Sequence, residues 1–172
     1  MVAFCPRASS AIATCVLLVA VYVVLPVRAF AQTNEALDAT LHELEGLEKQ
    51  GKYKAAVPVA ERYIADVKAA IGEEHQRFAE AIGWLGYLNT QLGQFADAER
   101  LLTRAIAIAE KVLGADHVAY AELQNNLAGV YLEIGRYADA ETLHKRALAI
   151  HEKVLGNGHT DVAIDLNYLG NV

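Results

Sequence analysis

The chain has 172 residues, 54% of them hydrophobic, with 15 basic and 21 acidic side chains and a net charge of −6. That length suits one domain or a little more, and the acidic balance argues against nucleic acid as a partner. Both cysteines, Cys5 and Cys15, lie near the N-terminus, so the remainder has no disulfide framework to stand in for a core.

The hydrophobic excess sits in residues 1–31, where only Pro6, Arg7, Ser9, Ser10, Thr14, Pro26 and Arg28 fall outside the hydrophobic set. A short start bearing Arg7 leads into the apolar run Ala11–Leu25, broken only by Thr14. Pro26 is expected to stop any helix, and Arg28-Ala29-Phe30-Ala31 ends in an A-x-A pattern. That order is the order of a secretory signal peptide, cleaved after Ala31. The alternative is a retained membrane anchor, although the apolar run is at the short limit for a bilayer of about 30 Å. Either reading places the rest of the chain on the outer side of a membrane; the cleaved form is expected to be periplasmic or secreted, with no membrane contact. Without this segment the chain carries 13 basic and 21 acidic side chains, a net charge of −8. It also lacks any further apolar run long enough to span a membrane.

From residue 34 the chain repeats every 42 residues. Gln76–His117 and Val118–His159 align without gaps and share 19 of 42 positions, where composition alone yields about three or four. The matches cluster as Ala96–Glu99 with Ala138–Glu141, Arg104–Ile108 with Arg146–Ile150, and Glu110–Gly114 with Glu152–Gly156. Gly51, Gly93 and Gly135 keep the step, as do Gly72, Gly114 and Gly156, and His75, His117 and His159. The register predicts a degenerate first unit over 34–75, two full units over 76–117 and 118–159, and a fourth that opens at Thr160 and stops at Val172.

Each unit reads as two helices. In the second unit Ala79–Leu92 precedes Gly93, and Phe95–Leu113 follows it; in the third, Ala121–Ile134 precedes Gly135, and Tyr137–Leu155 follows. Ala98, Leu101, Ala105, Ile108 and Val112 form an apolar stripe of helical period. Gly93, Gly135, Gly114 and Gly156 fall where helices must stop, a place where glycine adopts the left-handed cap without steric cost. Small residues at Gly86/Ala128 and Ala98/Ala140 allow paired helices to approach closely. Phe95 and Tyr137 are expected to plug the hairpin ends, and Glu141 and Lys145 to pair across one helical turn. Pro58, early in the second helix of the first unit, is expected to kink it.

Ala121–Gly156 reads AELQNNLAGVYLEIGRYADAETLHKRALAIHEKVLG. This stretch resembles the tetratricopeptide repeat, in the 42-residue variety of kinesin light chains and many bacterial proteins. The resemblance covers about 76–172 well and 34–75 more loosely. It implies an all-α right-handed solenoid of antiparallel helix hairpins, with a concave face lined by the first helix of each unit. On that face stand Glu80, Gly83, Tyr87 and Gln91 in the second unit, and Glu122, Asn125, Asn126 and Glu133 in the third. Asn167 repeats Asn125 at the 42-residue step. An asparagine amide can donate and accept together, and kinesin light chains use groove asparagines on extended peptides. The resemblance therefore points to Asn125 and Asn167 as ligand contacts. The clamp by which other tetratricopeptide domains grip a C-terminal carboxylate is unmatched, because Gly83 and Tyr87 stand where basic and amide groups are wanted. A basic or neutral peptide suits the charge better.

No metal, cofactor or catalytic role is expected. His75, His117 and His159 are one repeat apart, about 10 Å between packed helices, whereas zinc needs ligands at about 2 Å; they read as turn residues. His144 and His151, seven residues apart on one helix, are also too far apart to chelate directly. The chain has no Gly-Lys-Ser/Thr phosphate loop and no G-x-S-x-G elbow. The expected function is a non-catalytic scaffold that binds a protein or peptide in its groove. Two alternatives remain: the regulatory array of a larger protease-like or kinase enzyme, and a module that self-associates through an open C-terminal end.

Overall fold

The structure, a computed structural model, describes residues 25–170, with side chains from residue 34. It divides into two units, residues 1–39 and 40–172. Seven helices make up the described residues: α1 (Leu25–Lys49), which crosses the boundary between the units, α2 (Tyr53–Ile71), α3 (Gln76–Gln91), α4 (Phe95–Leu113), α5 (Val118–Glu133), α6 (Tyr137–Leu155) and α7 (Thr160–Gly170). There is no strand among the described residues. Residues 1–24 of the expected signal segment lie outside them. Pro26 falls in the first turn of α1, where its missing N–H costs no intrahelical bond. Among the described residues no helix is long and apolar enough to cross a membrane.

Helices pack in chain order: α2 on α3, α3 on α4, α4 on α5, α5 on α6 and α6 on α7, with α3 also touching α5. The termini explain the regularity. Gly51, Gly72, Gly93, Gly114, Gly135 and Gly156 stand 21 residues apart, half a repeat, and all have positive φ. Two turn types alternate. At Gly93 the amide of Gln94 bonds back to the Asn89 carbonyl at 2.8 Å, the six-residue closure of a Schellman cap. Gly114 instead has φ 85° and ψ 165°, a region open essentially to glycine alone. The left-handed cap expected there is replaced by this more extended turn, which leads the chain into the next hairpin.

The recurrent histidines are helix caps. His75, His117 and His159 accept from the amides of Arg77, Ala119 and Asp161 through Nδ1, at 3.1, 3.1 and 3.3 Å. Each satisfies one of the otherwise unpaired N–H groups at a helix start. Ion pairs also follow the repeat: Lys111 meets Glu74 and, 42 residues on, Lys153 meets Asp116 at 2.6 Å. They are well exposed, so each contributes little to stability. The same holds for Glu141 and Lys145, which pair as expected at 2.5 Å.

Close packing rests on small residues. A Cβ on Gly86 would stand 2.7 Å from Leu102 Cγ, so α3 and α4 can cross at this distance only over a glycine. On α4 the buried face is Ala98, Leu101, Leu102, Ala105 and Ala109. The expected stripe drifts off it at Val112, which is exposed, and at Ile108, which is half-buried. The sets 98, 102, 105, 109 and 101, 105, 108, 112 share the same 4-3-4 spacing and lie on adjacent sides of the helix; toward its C-terminal end only the first is buried. Tyr137 is likewise no plug; it is 58% exposed. Its counterpart Tyr53 packs edge-on against Tyr87 of the following repeat, and the residue two steps beyond Tyr87 is Asn171, outside the described residues. In the first hairpin Leu44, Ala56, Val59 and Ala60 form a core with Leu88 of α3.

Pro58 does not end α2, which runs unbroken through it. The proline and Lys54, whose carbonyl loses its amide partner, are both exposed, so water can satisfy that carbonyl. The penalty remains in the helix energy. Pro58→Ala is therefore expected to raise stability by up to about 3 kcal/mol, read as a higher midpoint in urea denaturation.

Candidate functional site

A concavity lies on the side formed by the first helices of successive repeats. Its volume is about 310 Å³, and its walls include Glu48 of α1, Glu80, Trp84 and Tyr87 of α3, and Glu122 and Asn126 of α5. The two aromatic rings meet edge to face, 6.1 Å between centroids and 86° between planes. The Tyr87 hydroxyl donates to Glu48 Oε1 at 3.2 Å. Gln76 Nε2 donates to Glu80 Oε1 at 2.7 Å. Residue 83 on the floor is glycine: a Cβ there would stand 2.4 Å from Leu123 Cδ2, so the Leu123 side chain would have to shift.

The concavity is electrostatically one-sided. Three carboxylates line it, and no lysine or arginine does. Burial, then the Glu48 charge, raises the Tyr87 pKa. Glu122 is exposed in total surface, yet its carboxyl is partly desolvated in the concavity. Desolvation first, then the charge of Asp161, raises its pKa; His151 and His117 act in the opposite direction. A cation entering the concavity relieves these penalties.

Of the residues read from the sequence, the concavity brings together Tyr87, Glu122 and Asn126, with Glu80 and Gly83. Gln91 and Glu133 are exposed at the C-terminal ends of α3 and α5 and do not line it. Asn167 is exposed on α7. Asn125 turns inward. Its Nδ2 donates to Asp165 Oδ1 at 2.5 Å, and its Oδ1 meets His144 Nδ1 at 2.9 Å, so the amide expected to face a ligand is engaged within the protein. Asp165 also holds His151 Nδ1 at 2.7 Å, and both residues are almost wholly buried. This polar cluster went unread in the sequence, as did Trp84 and Glu48. Trp84 stands one repeat before Asn126, a signal in the alignment itself; Glu48 lies where the first unit departs from the pattern. Among the described residues no group of three or more His, Cys, Asp or Glu could hold a metal.

Comparison with known proteins bears on the fold. The tetratricopeptide repeat family model matches residues 77–153 and 120–172, together more than half of the chain. Two crystal structures of a kinesin-light-chain-type protein of Podosopora anserina with nearly identical TPR-like repeats, the second of a point variant, superpose with TM-scores of 0.71 and 0.70 at 24% identity. Each alignment covers 79% of this chain and 64% of that one. BtubC (BKLC) from P. vanneervenii superposes at 0.66 with 16% identity, covering 84% of this chain and 64% of that one. The chain thus spans just under two thirds of these structures' length. No curated protein matches the sequence.

The raised pKa of Glu122 has a definite sign for stability. Its charged form is disfavoured in the folded chain, so stability falls as pH rises from its unfolded toward its folded pKa. Glu122→Gln is expected to raise the melting temperature at pH 7, with the difference from wild type vanishing at acidic pH, measured by thermal circular dichroism.

Proposed function

The chain belongs to the tetratricopeptide repeat family, and on that premise we propose that its concave face binds an extended, basic segment of a partner protein. Repeats of this family typically serve protein–protein interaction without catalysis. The observation that carries the reading is the convergence of Glu48, Glu80 and Glu122 from three successive repeats on one concavity without a basic side chain in its lining. A lysine or arginine side chain of the partner enters there. Its charge neutralises the carboxylates, and its stem lies against Trp84 and Tyr87, where cation–π attraction adds roughly 0.5–2 kcal/mol. Asn126, on the wall of the same concavity, supplies a donor and an acceptor to the peptide backbone. Asn167, one repeat beyond Asn125, extends the contact along the array.

Trp84 is the only tryptophan in the chain, so its fluorescence reports on the site directly. A short arginine-containing peptide is expected to change that emission saturably, while the same peptide with glutamate for arginine leaves it unchanged. Glu80→Gln with Glu122→Gln is expected to weaken binding by at least about tenfold, roughly 1.4 kcal/mol. Equal response to both peptides, or unchanged affinity in the double variant, removes the basic-segment reading.

We also propose that the protein is exported, on the charged, apolar and small-residue order of residues 1–31. N-terminal sequencing of the protein from the cell exterior is expected to begin at Gln32; a start at Met1 identifies the segment as a retained anchor.

A further inference from the structure

We propose that His144 is the sensor of a pH-operated latch that holds α7 against the α5–α6 hairpin. The proposal rests on four side chains from three helices: Asn125 of α5, His144 and His151 of α6, and Asp165 of α7. His144, His151 and Asp165 are respectively 1%, 2% and 0% exposed. The same positions one repeat earlier hold Leu102, Ala109 and Leu123, all buried apolar residues. An ordinary hydrophobic contact has thus been replaced, at this one junction, by a hydrogen-bonded chain.

The donors and acceptors in that chain can be assigned. A carboxylate only accepts, so Asn125 Nδ2 must donate to Asp165 and His151 Nδ1 must carry a proton toward it. Asn125 Oδ1 is then the acceptor, so His144 Nδ1 carries a proton too. Both imidazoles are closed on the Nδ1 side. Their Nε2 atoms are buried without a hydrogen-bond partner. A second proton on His144 would therefore place a charge, and an N–H donor, in an enclosure that answers neither. His151 differs, because its Nδ1 faces a carboxylate, whereas His144 faces an amide oxygen. The ring of His144 also stacks on Tyr168 of α7, 5.0 Å between centroids, so displacing it disturbs α7 twice.

The surrounding groups do not cancel this effect. Within the cluster the charge is Asp165; beside it Glu122 of α5 interacts with His151, and also with Asp161 of α7, Glu80 of α3 and the capping His117, while His159 caps α7. For His144 burial lowers the pKa, and Asp165 is the one charge opposing it. The sign follows: the unfolded or detached form binds the proton more readily, so attachment of α7 is strongest above the ordinary histidine pKa of about 6.5 and weakens as pH falls below it. His159 caps α7 through Nδ1 and lies outside the hydrogen-bonded chain, which makes it the control position.

Hydrogen exchange of the full chain, corrected for the pH dependence of intrinsic exchange, tests the assignment to His144. Protection of α7 amides is expected to fall by up to about tenfold per pH unit below about 6.5, while α3 amides hold. His144→Asn, whose amide keeps a donor at the Nδ1 position without titrating, is expected to flatten that response. His159→Ser, which keeps a capping oxygen, is expected to retain it. If His144→Asn does not fold at pH 7.5, His144→Leu, matching Leu102, takes its place with the same expectation. Protection of α7 that is unchanged with pH in the wild type overturns the latch. So does a response that survives in the His144 variant or disappears with His159→Ser.

Discussion

The arrangement depends on one steric constraint, the turn at each helix end. Six glycines with positive φ recur every 21 residues, and each ends a helix at the same point of its repeat. Because the helices end in step, the first helices of successive hairpins stand beside one another, and residues 42 apart occupy equivalent places. A β-carbon at these turns meets no neighbouring atom; the demand is conformational, set by backbone angles that other residues rarely adopt. The histidine caps keep the same step from the opposite helix end, each supplying one acceptor to the helix that follows.

Equivalence then makes departures from it informative. Where repeats agree, as at Ala98 and Ala140, both side chains are fully buried and serve packing. Where they differ, chemistry enters. Gly83 makes room for Leu123, while one repeat on the corresponding pair is Asn125 and Asp165, joined by a hydrogen bond. The same two backbone positions support an apolar contact in one place and a polar one in the next. A buried carboxylate–imidazole pair is a weak source of net stability, because desolvation consumes most of its attraction. Its physical effect is directional: a helix without an acceptor at position 165 leaves the partner groups unsatisfied.

Much of this was legible in the sequence. Repeat length, helix pairing, turn glycines and the resemblance of Ala121–Gly156 to the tetratricopeptide repeat all follow from spacing along the chain. So does the candidate face, since first-helix residues such as Tyr87, Glu122 and Asn126 share a side by periodicity. The inward turn of Asn125 was not legible. Periodicity places a residue at an angle around its helix, but whether its amide meets solvent or a neighbour depends on what the next helices present there. Asp165 and His144 are 40 and 19 residues away from it, and only their replacement of apolar residues in the alignment hinted at a meeting.

The sequence by itself determined the period, the helix boundaries to within a few residues, and the family, because those are local consequences of glycine conformation and apolar spacing. The tertiary structure decided which polar groups satisfy one another. It placed Glu48 beside Tyr87, set Trp84 against the same concavity, and enclosed His144 and His151 with unpaired Nε2 atoms. These are contacts between helices, governed by the distance at which helices pack, and that distance is set by side chains on both partners at once. Gly86 sets it where α3 crosses Leu102 of α4, and Gly83 leaves room for Leu123 at the acidic concavity.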